Sequence, residues 1–276
     1  MSQSTYGDRM LNVVNLEDGV ALVTLSESTS RSAFSIESIT AIADTLDGLM
    51  DDPTVSAFVL TGTGKMFCAG ADIEAFGAAI DDGSIGEMVQ SLTGVLHPLQ
   101  LRLRASDTVF IAAINGAAAG GGLGLALTAD YRVALQQAKL AAAFFSLGLS
   151  PDGGTTWLLP RLVGTQNARR FFFENEVWNG EVAVEKGAVD ELVEGDAEDL
   201  NRRAIEVATL WGSWAEMSRR STKQLLDAQS STFFETQLEF ERALITASSL
   251  TAGFGEGVTA FLEKRQPNFG KKETNL

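Results

Sequence analysis

VFIAAINGAAAGGGLGLALT, residues 109–128, is the stretch that decides the architecture of this chain. Its first part, Val109 to Ile114, is an apolar run with the composition of a strand. After Asn115-Gly116, the glycines Gly120, Gly121 and Gly122 open a second apolar run, Gly120 to Thr128, that reads as a helix. The glycines let bare backbone approach a ligand closely, and a helix start offers N–H groups without intrahelical partners. Such donors suit an oxygen that gains negative charge. Further along, Ser150-Pro151-Asp152-Gly153-Gly154 reads as another helix start, with Ser150 as N-cap and Pro151 at the first helical position. Oxyanion donors and a solitary carboxylate together point to enzyme chemistry on a carbonyl compound.

The same alternation extends to both sides. Gly19 to Leu25 is β-rich, with Leu11 to Leu16 expected to pair beside it. Ser35 is a fitting N-cap with Ser38 three positions on, and Ile36, Ile39, Ile42, Ala43, Leu46 and Leu49 recur at helical spacing up to Met50. Val55 to Thr61 and Tyr131 to Ala134 read as further strands. Strands alternating with helices predict an α/β fold with largely parallel pairing. From about residue 200 strand signals vanish, and Ala204, Val207, Ala208, Trp211, then Leu225 to Ile245, predict helices to about Ala247. The expected division is therefore a core over residues 1–200 and a helical C-terminal region over 201–276, with Lys271 to Leu276 frayed.

Composition narrows the function. With 276 residues, 45% of them hydrophobic, the chain can bury a sizeable interior. A net charge of −15 and no run rich in Lys or Arg argue against nucleic acid as a partner. No stretch approaches the roughly 20 apolar residues of a membrane span, and the N-terminus lacks the blocks of a secretion signal, so a cytoplasmic setting is expected. One cysteine, Cys68, cannot make an intramolecular disulfide, and with a single histidine no metal site is expected. Arg31, Arg102, Arg104, Lys264 and Arg265 are candidates for a local cationic patch that could hold an anionic ligand.

Nucleotide motifs fail on spacing. Gly120 and Gly122 would need a third glycine where Leu125 stands, and Gly64-Lys65 lacks both the upstream glycine, at Val59, and the following hydroxyl, at Met66. Phe144 to Gly148 lacks the first glycine of a nucleophile elbow. His97, alone before Pro98 in an apolar segment, reads as structural rather than as a base.

Two segments, Gly64-Lys65-Met66-Phe67-Cys68-Ala69-Gly70-Ala71-Asp72-Ile73 and Ile114-Asn115-Gly116 through Gly122, closely resemble the signatures of the crotonase superfamily, also called the enoyl-CoA hydratase/isomerase family. The likeness continues through Ala129 to Ala134, Leu159 to Gly164 and Ala260 to Arg265. It implies a crotonase-like spiral of strand-strand-helix turns whose helical C-terminal region trimerises, often as a dimer of trimers. It also implies an acyl-CoA thioester as substrate, CoA being part of the substrate rather than a cofactor. The thioester oxygen would sit between the backbone N–H groups of Ala71 and Gly121. Ala69, Asp72 and Ile73 of the first signature would border the ligand, as would Phe144 and Trp157 further along. Arg31 would lie near the CoA phosphates, although the family's usual asparagine after it is Ser32 here, and Phe261 and Lys264 could reach the CoA of a neighbouring subunit.

The two glutamates that hydratases of this family use fall on Gly124 and Phe144. Their absence argues against two-carboxylate hydration, whereas shifting a double bond needs one carboxylate over one face of the substrate. Asp152 occupies the position where similar isomerases place their acid, and Pro151 to Pro160 looks most like the isomerase of the phenylacetate pathway that acts on a ring-epoxide CoA ester. The expected reaction is a 3-enoyl to 2-enoyl proton shift. Three alternatives stand beside it: a hydratase that recruits Glu74 or Glu87, a nucleophilic Asp152 as in aroyl-CoA dehalogenases, and a silent CoA-ester-binding protein. The Phe76 to Gln100 region is expected to shape the acyl pocket.

Overall fold

Successive turns of the chain give one strand to a six-stranded sheet and the next to a four-stranded sheet, and helices close each turn. The computed structural model describes residues 10–26 and 34–270. In chain order the elements are β1 (Leu11–Asn15), β2 (Val20–Leu25), α1 (Ile36–Asp51), β3 (Ala57–Thr61), β4 (Met66–Cys68), α2 (Ile73–Asp81) and α3 (Ile85–Ala105). Then follow β5 (Val109–Ile114), β6 (Ala117–Ala119), α4 (Gly121–Thr128), β7 (Tyr131–Leu135), β8 (Lys139–Ala141), α5 (Thr155–Val163) and α6 (Thr165–Phe173). The chain closes with β9 (Val177–Asn179), α7 (Gly180–Lys186), β10 (Glu191–Val193), α8 (Ala197–Gly212), α9 (Glu216–Ala228), α10 (Phe234–Ser248) and α11 (Ala252–Glu263). The first sheet has the order β1-β2-β3-β5-β7-β10 and the second β4-β6-β8-β9. Pairing is parallel throughout except for β1 with β2 and β8 with β9. This is the expected α/β spiral.

The long strands read as unbroken apolar runs because both their faces are covered. One face of the large sheet carries Phe58, Leu60, Phe110 and Ile114 into the main core with α1 and α3, and the Phe58 and Phe110 rings stack 4.9 Å apart. Alternate residues Val59, Val109, Ile111 and Val133 face the other way, against Leu200, Ala204, Val207 and Ala208 of α8. Their spacing makes one apolar helix stripe. Helix α8 therefore straddles the expected boundary at residue 200 and packs as part of the core. The helical region also runs beyond Ala247, because Thr251 accepts a hydrogen bond from the Phe254 N–H and starts α11.

Ser35 and Ser38 form the anticipated reciprocal cap of α1, at 3.1 and 3.0 Å, a shorter hydroxyl replacing the usual glutamate. Helix α9 is held by a buried polar lock. Lys223 Nζ pairs with Asp130 at 2.9 Å and donates to Leu103 O, while the same Asp130 oxygen accepts the Phe110 N–H.

Candidate active site

Asn115 joins the two signature segments. It is 3% exposed, and its Oδ1 accepts the Gly62 N–H at 3.0 Å while its Nδ2 donates to Gly64 O and Met66 O, both at 3.1 Å. That side chain ties the β3–β4 connection to the start of the β5–β6 connection. Beyond it, Gly70 packs backbone to backbone on the start of α4: a Cβ there would lie 2.7 Å from Ala119 O and 3.2 Å from Gly121 N, and its φ is +83°. Only glycine fits both demands. The Gly70 carbonyl accepts the Phe34 N–H at 3.0 Å. In a trans peptide the next N–H points the opposite way, so the Ala71 N–H is directed away from Phe34. Gly121 is the first residue of α4, where the N–H has no intrahelical acceptor.

Ala71 and Gly121 border one cavity of about 510 Å³, together with Ala69, Ile73, Phe144 and Asp152. Phe34, Phe76, Leu92 and Leu96 complete an apolar wall, so the Phe76 to Gln100 region does shape this pocket, through α2 and α3. Among the described residues Asp152 is the one charged side chain in the lining. The expected alternative acids Glu74 and Glu87 are exposed and lie outside it. Ile73, Leu147 and Leu149 form an apolar rim, 41 to 52% exposed.

The turn that carries Asp152 differs from the sequence expectation. Ser150 is not a cap and Pro151 is not helical: α5 begins at Thr155, because Gly153 (φ +60°) and Gly154 (φ +70°) adopt left-handed conformations that a helix start cannot contain. Thr155 N and Oγ1 instead donate to Asp152 O, at 3.3 and 2.8 Å, and hold the turn closed. Gly153 lies against α4. A Cβ on Gly124 would stand 2.1 Å from Gly153 O, so the position of the first hydratase glutamate is filled by backbone of the Asp152 turn. Phe144, at the second, is 8% exposed and forms part of the wall.

The structure also assigns a partner to Asp152 that sequence reasoning put aside. His97 of α3 lies with its Nε2 2.8 Å from Asp152 Oδ1. With the carboxylate ionised, Nε2–H is the donor. A lone histidine before a proline gives no sequence signal for a pairing 55 positions away.

Other expected ligand contacts separate from the cavity. Asp72 caps α2, its carboxylate accepting the N–H groups of Glu74 and Ala75 at 2.9 and 3.1 Å. Trp157 stands outside the lining, with the Arg161 guanidinium over its ring, 3.5 Å from the centroid. Phe261 is 83% exposed on α11 and borders a separate hollow against α9 and α11, and Lys264 is the exposed cap residue that ends α11. Arg31 lies outside the described residues. Of the remaining cation candidates, Arg102 pairs with Asp47 and Asp51, Arg104 with Asp227, and Arg265 with Glu256 and Glu263. Cys68 is fully buried, which pushes its thiol up to about 12 and leaves it no nucleophile.

This spiral, with its paired signatures at one cavity, is the fold of the enzymes that act on acyl-CoA thioesters: residues 15–272 match the enoyl-CoA hydratase/isomerase family, and the chain belongs to it. Among known relatives it is similar to the 1,2-epoxyphenylacetyl-CoA isomerase of Escherichia coli K12, with 34% identity over 94% of this chain and 97% of that one. It is also similar to the crotonyl-CoA hydratase of Syntrophomonas wolfei, 30% identical over 94% of this chain and 98% of the relative. The crystal structure of an enoyl-CoA hydratase from Polaromonas sp. JS666 superposes with a TM-score of 0.84 at 29% identity, covering 94% and 98% of the two chains. Among the described residues no helix is long and apolar enough to cross a membrane.

Proposed function

We propose that this protein is an acyl-CoA double-bond isomerase that converts 3-enoyl to 2-enoyl thioesters with Asp152 as its base. One observation carries the reading: among the described residues Asp152 is the only carboxylate in the cavity lining, and Gly153 O closes the site of a second one at Gly124. The Asp152 carboxylate takes a proton from C2 and the electrons move onto the thioester oxygen. The Ala71 and Gly121 N–H groups hold that oxygen as an enolate, each worth roughly 3 kcal/mol in the transition state. The enolate collapses as the same carboxyl returns the proton to C4, so no atom is gained or lost and no separate cofactor is needed.

The apolar wall supports the substrate class. A neutral aliphatic or aromatic acyl group fits a cavity lined by Phe34, Phe76 and Phe144, whereas an anionic one would find no cation among the described lining residues. The test is a panel of 3-enoyl, 2-enoyl and ring-containing CoA esters followed by mass and absorbance. A new conjugated chromophore at unchanged mass is expected; a product heavier by one water makes the enzyme a hydratase.

A homotrimer, or a dimer of trimers, is part of the same proposal. Helix α10 has no buried residue, and Phe233, Phe234, Ile245 and Leu250 are between 71 and 85% exposed, more apolar surface than a lone chain ordinarily leaves in water. Covering it with sister chains would also bring Phe261 and Lys264 towards a neighbour's CoA. Sedimentation equilibrium yielding a monomer would refute it.

A further inference from the structure

Helix α3 grips the Asp152 turn with two side chains three positions apart, on one face of the helix. His97 Nε2 meets Asp152 Oδ1 at 2.8 Å. Gln100, 8% exposed, donates from its Nε2 to Gly153 O at 2.9 Å and to Thr128 Oγ1 at 2.8 Å, and Thr128 in turn donates to Gly124 O at 2.8 Å. Consecutive residues of the turn are thus fixed from one helix, and the deeper grip is tied through Thr128 to α4, the helix that begins with Gly121. Asp152 itself is followed by Gly153 and Gly154, the most permissive residues for its backbone. The grip supplies what the turn's own sequence does not.

We propose that His97 is a positioning residue for the reaction. It does not line the cavity and acts through Asp152: Nε2 meets Oδ1, so Oδ2 is the oxygen left to take the substrate proton. The inference rests on Asp152 being the base. The other ionisable groups on elements packed against α3 have their own engagements or lie in the open. Asp47 and Asp51 of α1 pair with Arg102, and Asp227 and Lys223 of α9 pair with Arg104 and Asp130. Glu74 and Asp81 of α2 are exposed, and α4 carries no ionisable side chain. Within bonding distance of His97 the charged group is Asp152.

The test compares His97→Ala, His97→Gln and Asp152→Asn in steady-state isomerase assays from pH 5 to 9, with melting temperatures recorded for each. His97 is half exposed, so all three chains should fold. His97→Ala should lower kcat about tenfold or more with KM within about twofold, since one charge-assisted hydrogen bond to the base is gone. His97→Gln keeps an N–H donor at a similar reach and should restore most of kcat. If Asp152→Asn is inactive while both His97 variants match wild type in kcat, the positioning role falls and the base stands. If His97→Ala raises KM alone, the role also falls. If Asp152→Asn keeps wild-type turnover, the base falls and this inference falls with it.

Discussion

Gly124→Ala sets two effects against each other, and the structure says which wins. The residue lies inside α4, where alanine is favoured over glycine by about 1 kcal/mol. Its new Cβ would stand 2.1 Å from Gly153 O and 2.9 Å from Gly153 C, both backbone atoms, when ordinary contact begins at 3.4 Å. Relief requires the Asp152 turn to retreat by about 1 Å, a core overpacking that costs about 1–3 kcal/mol. The net expectation is a loss of up to about 2 kcal/mol, or several degrees in Tm at about 2–4 °C per kcal/mol. Function suffers more, because a 1 Å misplacement of a reacting group costs about 100-fold. Gly94→Ala, in mid-α3 with nothing within 4 Å of its Cβ, is the matched control. It should gain up to about 1 kcal/mol of stability and leave kcat alone. Calorimetry and isomerase assays on the pair decide the matter. A Gly124→Ala chain as stable as Gly94→Ala, with wild-type turnover, would refute the close packing on which the exclusion of a second acid depends.

Three further outcomes follow from other parts of the molecule. Lys223→Met leaves Asp130 buried without its counter-ion and should destabilise by about 3 kcal/mol in chemical denaturation; an unchanged midpoint would mean that the lock contributes nothing. Cys68, whose thiol burial raises to about 12, should resist alkylation at pH 8 in the native enzyme and react only after unfolding, so rapid labelling by iodoacetamide would contradict its burial. An acyl-CoA ending in a carboxylate should show kcat/KM at least about tenfold below its neutral counterpart of equal length, as the described residues of the lining offer it no cation and one anion; equal rates would exclude this cavity as the acyl site.

The fold was legible where one pattern acts over short distances. The strands Val109–Ile114 and Ala57–Thr61 are apolar runs because both faces are buried, and Ser35 with Ser38 announces α1 within four residues. Three-residue strands such as Met66–Cys68 and Lys139–Ala141 are too short to carry a period. Helix α3 is hidden by Gly86, Gly94 and Pro98, and is made stable by Leu92, Leu96, Leu99 and Leu103 in the core. For the site, the two signatures and the separate likeness around Asp152 fall on segments that border one cavity. The start of α5 was misplaced because Ser150-Pro151 imitates a cap, while the following two left-handed glycines postpone the helix to Thr155. His97 was beyond reach for another reason: its meaning depends on α3 crossing the Asp152 turn, and nothing in the residues beside it encodes that crossing.

The central claim is that Asp152 alone moves the proton. The most direct measurement incubates wild type and Asp152→Asn with one 3-enoyl-CoA and follows the conjugated chromophore, intact product mass and ester binding together. The account predicts a chromophore at unchanged mass with wild type, and none with Asp152→Asn although that variant still binds the ester. Conversion by Asp152→Asn at the wild-type rate, or a wild-type product carrying an added water, would contradict it.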